Sequence, residues 1–159
     1  MNNALLSERV VTILGKDLVA DTTSETTSAI ADMQGFDGVR FIVKLGDVDA
    51  AAVMTFTVKE NTASSVSSPT PTTVAITSAS AGTITSGAVV VTEASGNIDD
   101  KILIFDVKHH ALSKRYCFLS ITVTVESYEV DSIIIEKYSA RDLAVTQSSD
   151  VYSFAYAAV

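Results

Sequence analysis

The sequence predicts an all-β fold, a two-sheet β-sandwich of jelly-roll type with extended N- and C-terminal arms. Three observations carry this. Apolar and polar residues alternate with period two through short runs rich in Val, Ile, Thr and aromatics. Helical periodicity is nearly absent. Finally, about seven or eight runs of strand length follow one another, more than one sheet closes comfortably, which implies a sandwich, with a closed barrel as the alternative.

The elements are justified in chain order. Residues 1–33 read as an N-terminal arm with one apolar strand at 10–14, followed by a Thr/Ser-rich stretch at 21–28. The β-sandwich domain proper is expected over 34–138. In residues 38–46, Val39, Phe41, Val43 and Leu45 point one way and Arg40, Ile42 and Lys44 the other, so one face is buried. Residues 52–60 repeat the pattern, with Met54, Phe56 and Val58 opposed by Thr55, Thr57 and Lys59. The connection at 46–49 reads the two as adjacent antiparallel strands. Residues 61–73 hold Ser, Thr, Ala and both prolines, Pro69 and Pro71, and read as a long exposed loop. Residues 74–76 and 82–93 are weaker strands punctuated by Gly82 and Gly87.

After a turn at 94–100, residues 101–108 place Leu103, Phe105 and Val107 on one face. Residues 115–125 do the same with Cys117, Leu119, Ile121, Val123 and Val125, and these two runs are expected at the heart of the sheet. Residues 130–138 contain Ile133, Ile134 and Ile135, apolar on both faces, as for a central strand or one covered by a neighbouring subunit. The C-terminal arm, 139–159, carries Tyr152, Phe154 and Tyr156 where chain ends are usually polar, and reads as a segment that docks on its own domain or on another subunit.

Composition bounds the function classes. A chain of 159 residues suits one domain that needs no disulfide or metal to build a core. Apolar residues make up 47% and charged residues 19%, so part of the surface is expected to be covered. The formal net charge of -8 argues against a phosphate-neutralising surface, so no nucleic-acid partner is expected. No run has the length of a membrane span or the pattern of a secretory signal. A soluble chain made in a cytoplasm is the expectation. The single Cys117 forbids an intrachain disulfide and reads as a small buried hydrophobe.

Chemical signatures are missing: there is no phosphate loop, nucleophile elbow, paired-cysteine spacing or His-Glu helix motif, so no enzyme, cofactor or catalytic residue is expected. His109 and His110 are adjacent, would face opposite ways on a strand, and fit a loop better than a metal site. Asp47 and Asp49, like Asp99 and Asp100 beside Asn97, lack the spacing of a calcium loop and read as solvated turn residues. Lys114, Arg115 and Tyr116 enter an apolar strand together. Arg115 either pairs with a carboxylate of a neighbouring chain while Tyr116 packs at the rim, or the trio is a charged strand start that blocks edge pairing.

The run Gln34-Gly35-Phe36-Asp37-Gly38-Val39-Arg40-Phe41-Ile42-Val43-Lys44-Leu45-Gly46, then Phe56-Thr57-Val58-Lys59-Glu60-Asn61, then Lys114-Arg115-Tyr116, resembles the head decoration, or cement, proteins of tailed bacteriophages. The resemblance covers residues 34–138 and departs at both arms and in the Ser/Thr/Pro segment 62–80. It implies a jelly-roll-like sandwich on the outside of an icosahedral virion, bridging major capsid protein subunits, with the chain itself a homodimer or homotrimer and no residue catalytic. Under that reading the partner-facing residues are Leu5, Leu6 and Arg9, the Lys114-Arg115-Tyr116 run, and Tyr152, Phe154 and Tyr156. A head-tail connector or tail structural protein is the alternative within a virion. A carbohydrate-binding β-sandwich, stacking sugars on Tyr128, Tyr138 or Tyr152, is the alternative outside it.

Overall fold

Alternation at period two becomes twelve strands among the described residues, 10–94 and 98–138, of the computed structural model. They are β1 (Val11–Lys16), β2 (Val19–Thr22), β3 (Thr26–Thr27), β4 (Ala31–Asp32), β5 (Gly38–Val48) and β6 (Val53–Asn61). β7 (Thr72–Thr73), β8 (Thr83–Thr85), β9 (Ala88–Thr92), β10 (Ile102–Lys108), β11 (Tyr116–Val123) and β12 (Tyr128–Tyr138) follow, with one 3-10 turn at His109–Ala111. The first sheet runs β1-β12-β5-β10, with β2 continuing the β1 edge along β12. The second runs β3-β11-β6-β9-β8, with β4 also on β11 and β7 also on β6. Every pairing is antiparallel.

The two sheets form a β-sandwich. Val39, Phe41, Val43, Leu45, Ile133 and Ile135 of the first sheet share one buried cluster with Met54, Phe56, Val58, Leu119 and Ile121 of the second. Phe56 and Phe105 stack across the gap between the sheets with ring centroids 5.4 Å apart. Each such side chain stabilises by roughly 1.5–3 kcal/mol when removed from water, and this face, more than any hydrogen bond, holds the sheets together. Tyr128 is fully buried, its hydroxyl donating to Ser24 O at 2.9 Å.

Several expectations are corrected. β5 and β6 are not neighbours: they lie in opposite sheets. Alternation reveals which face a strand buries but not which strand lies beside it, and the turn between them carries the chain across the sandwich. Ala52 N donates to Asp49 O at 3.0 Å there, with Ala51 in the left-handed region at φ 73°. β10 is not at the heart of a sheet but on the edge of the first, while β11 is interior to the second. Val125 is exposed beyond the end of β11. The stretch expected as an arm supplies, from Val11 on, edge strands to both sheets.

The weak strands at 82–93 become a tight hairpin, β8 and β9, in which Ser86 (φ 51°) and Gly87 (φ 81°) bridge the Thr85-Ala88 pair. Two successive positive φ values give the turn the hand that matches strand twist. The 61–73 loop is largely exposed, as expected, yet fastened at its root. Buried Asn61 donates through Nδ2 to Ser65 O at 2.7 Å and Pro69 O at 2.8 Å. The reading of β12 as a central strand agrees with its place between β1 and β5.

Candidate protein-docking surface

Side chains at alternate positions of the first sheet point away from the core, and the register lines four of them into one row. Leu14 lies opposite Ile134, Ile134 opposite Ile42, and Ile42 opposite Ile104. The row crosses all four strand positions. Leu14 is 41% exposed and Ile104 59%, and Ile102, one step along β10, is 61% exposed. Directly opposed β-branched residues pack against each other sideways, but their outer surfaces stay in water. A contiguous apolar row on an otherwise solvated sheet face makes this a candidate docking surface.

The rows on either side are ionic. On one, Arg40 sits between Asp106 (3.1 Å) and Glu136 (3.8 Å). On the other, Lys44 sits between Asp100 (2.8 Å) and Asp131 (3.0 Å), and these carboxylates hold its ammonium above the usual lysine range. Each cation is thus bracketed by two carboxylates, and with Lys101 beside Asp100 and Lys108 near Tyr138 the border of the apolar row is charged with both signs. Such exposed pairs add little to stability, but they shape the field a partner meets. At the end of the face, the Tyr138 ring lies across Gly38, where any side chain would collide with it. Burial, then the adjacent Asp106 carboxylate that accepts from the Tyr138 hydroxyl, pushes this phenol up to about 12. Lys108 lies 5.2 Å above the ring.

The Lys114-Arg115-Tyr116 run belongs to the other sheet and is engaged within its own chain. Arg115 makes a two-pronged contact to Asp32, Nε to Oδ1 at 2.8 Å and Nη2 to Oδ2 at 2.6 Å, and its guanidinium lies 5.1 Å over Tyr116. That guanidinium holds the Asp32 carboxyl below the usual aspartate range. Lys114 donates through Nζ to Thr72 Oγ1 at 2.8 Å. The trio therefore fastens the start of β11 to β4 and to the root of the 61–73 loop. Leu5, Leu6, Arg9, Tyr152, Phe154 and Tyr156 lie outside the described residues.

Several titratable groups brace the fold. Glu60 is buried, and burial pushes its carboxyl up, but donors from Ser113, Lys114 and Thr72 outweigh this and hold it below the usual range. Ser113 N donates to Glu60 Oε2 at 2.7 Å and Lys114 N at 3.1 Å. Glu60 thereby fastens the 113–114 turn and Thr72 to the end of β6. Cys117 is buried and its thiol is pushed up to about 12, by burial first and then by Glu60, so it stays a neutral hydrophobe. His109 and His110 lie in the 3-10 turn. Asp99 Oδ1 accepts from Val48 N at 3.0 Å and Asp49 Oδ2 from Ser127 N at 3.3 Å, so both brace turns. No cluster of metal-ligating residues occurs among the described residues.

The sequence reading passed over the Leu14-Ile134-Ile42-Ile104 row, although its signal was present. Ile42 stands between two cations, and Ile102 and Ile104 alternate with core-facing Leu103 and Phe105. Only the register puts them side by side. Comparison with known families and with curated proteins finds no match to this chain.

Proposed function

We propose that the chain is a structural virion protein of jelly-roll type that decorates an icosahedral shell, docking on major capsid protein subunits through the outer face of its first sheet. The observation that carries the docking face is the Leu14-Ile134-Ile42-Ile104 row with its border of ion pairs. An apolar centre ringed by charge is the anatomy of a protein interface.

The strand order supports the jelly-roll form of the sandwich. Short strands along the same neighbour can be merged into single positions, β1 with β2, β3 with β4, and β7 with β9, which leaves β8 as an extra edge strand hairpinned to β9. The sheets then read 1-8-3-6 and 2-7-4-5. Strand 1 pairs with 8, 2 with 7, 3 with 6 and 4 with 5. The chain is one long antiparallel hairpin rolled on itself, an arrangement common in capsid domains and also found in lectins. The lectin reading loses support here, because Tyr128 is buried and Tyr138 is packed against Gly38.

Co-sedimentation of the purified protein with assembled, emptied phage heads of its source tests the proposal, together with its mass by light scattering. A discrete dimer or trimer that pellets with the shells, and an Ile134→Asp variant that stays in the supernatant while still folded, are the expected results. Rings or tubes that ignore the shells would move the protein to the tail or the head-tail junction.

A further inference from the structure

The free side of β10 has the makings of a strand acceptor. Among the described residues β10 pairs only with β5, through seven consecutive positions without a register shift. Leu45 N donates to Lys101 O at 3.0 Å and His109 N to Asp37 O at 2.8 Å, so the odd-numbered residues aim their backbone at β5. Antiparallel geometry then aims the N–H and C=O groups of Ile102, Ile104, Asp106 and Lys108 at the open side. An edge of this length bearing two exposed isoleucines is a template for another strand.

Beside that edge the sandwich gapes. A cleft of about 710 Å³ lies between β10 and the 74–81 segment, lined by core-facing Phe56, Val58, Val89, Leu103, Phe105 and Val107. It has the size of a ligand pocket, and its lining is more apolar than polar, with Ser78, Asp106 and His110 among the polar residues. A strand laid along β10 would send every second side chain into it. The occupant must therefore be extended, with large apolar residues at alternate positions and small ones between.

We propose that this occupant is the chain's own segment 151–157, Val151-Tyr152-Ser153-Phe154-Ala155-Tyr156-Ala157. Tyr152, Phe154 and Tyr156 would enter the cleft, and Ser153 and Ala155 would lie outward beside Ile102 and Ile104. The path is short and has the right direction. β12 ends at Tyr138 opposite Gly38, and β10 ends at Lys108 opposite the same residue. A chain returning from Tyr138 thus runs antiparallel to β10. The open side of β10 is three strand spacings from β12, roughly 14 Å. Residues 139–150 span up to roughly 40 Å when extended. Tethering favours this arrangement over the same segment from a second copy at ordinary concentrations.

Amide hydrogen exchange on the full-length protein, without shells, tests this separately from the docking proposal. In the wild-type chain the amides of Ile102, Ile104, Asp106 and Lys108 are expected to be protected at every concentration. Phe154→Asp should raise their exchange rates by at least about tenfold. The amides of Leu103, Phe105 and Val107, bound to β5, should not change and so report that the variant is folded. Phe154→Leu should retain most of the protection. Free exchange of the even-numbered amides in the wild type would overturn the proposal. So would protection indifferent to Phe154→Asp, or protection lost on dilution together with a dimer mass, which would assign the edge to a second copy.

Discussion

The outward faces of the two sheets differ more than their inward faces do. In the first sheet the central row reads Leu14-Ile134-Ile42-Ile104; the corresponding row of the second reads Thr122-Thr55-Val90-Thr83. Threonine suits a strand because its branched carbon fills the pleat while its hydroxyl faces water. The second face is also fastened by its own chain: Glu25 binds Lys59 at 3.0 Å, Asn61 holds the 61–73 loop, and Arg115 grips Asp32. Among the described residues nothing comparable crosses the isoleucine row. One sheet is finished against solvent within the described residues, and the other exposes apolar surface that a partner would remove from water.

The largest expected effects lie where the two sheets are alike. Phe56→Ala and Ile135→Ala, on the inner faces of the second and first sheets, should each destabilise the protein by about 2–5 kcal/mol through lost burial and a residual cavity. Urea denaturation midpoints measure this. A marked asymmetry between the two would mean that the sheets do not share one core.

Glu60→Ala comes next and concerns the fastening of the second sheet. It strands the Ser113 and Lys114 amides and the Ser113 and Thr72 hydroxyls, at a cost of about 1–3 kcal/mol. The same carboxylate gives a pH signature. Its folded value lies below its unfolded one, so its contribution is complete above the ordinary glutamate range near 4.3 and is lost as pH falls through the lowered folded value. The variant should therefore lose part of the acid sensitivity of the wild type, read as a smaller drop in thermal midpoint between neutral and acid pH.

The outer faces separate in a pair of swaps. Ile134→Thr imposes the second sheet's chemistry on the first. It should leave stability within about 1 kcal/mol, since Ile134 is only partly buried, but weaken shell binding by about tenfold. Thr55→Ile does the reverse on the second sheet and should leave binding unchanged. If Thr55→Ile and Ile134→Thr affect binding equally, the docking face has been misassigned.

How much of this the sequence made legible depended on which relation was asked of it. Alternation identified the inward residues of β5, β6 and β10 because period two is a property of a single strand. Neighbours are a property of the whole fold, so β5 and β6 were paired when they face each other across the core, and β10 was set at the centre when it forms an edge. The short strands β3, β4 and β7 carry two residues each, too few to alternate. The candidate face escaped for the same reason. Ile42, Ile104, Ile134 and Leu14 are far apart along the chain, and each alone is an ordinary exposed or half-buried apolar residue.

Arg115 offers the smallest and sharpest contrast. The sequence made it a candidate for a partner's carboxylate, whereas its guanidinium already holds Asp32 at 2.6 Å on the second sheet. Arg115→Ala removes the strongest of the groups that lower the Asp32 carboxyl, leaving the Gln34 amide and Lys137, and because both side chains are well exposed the loss of stability at neutral pH should be the least of those discussed here. What remains of the pair's contribution exists only above the aspartate range, near 3.9, and fades as pH falls through the lowered folded value, so wild type and variant should converge in acid. Shell binding should stay within about twofold of wild type if docking uses the first sheet alone. A large loss of binding with stability intact would instead make Arg115 a shared residue, released from Asp32 when a capsid carboxylate replaces it, and would bring the second sheet into the interface.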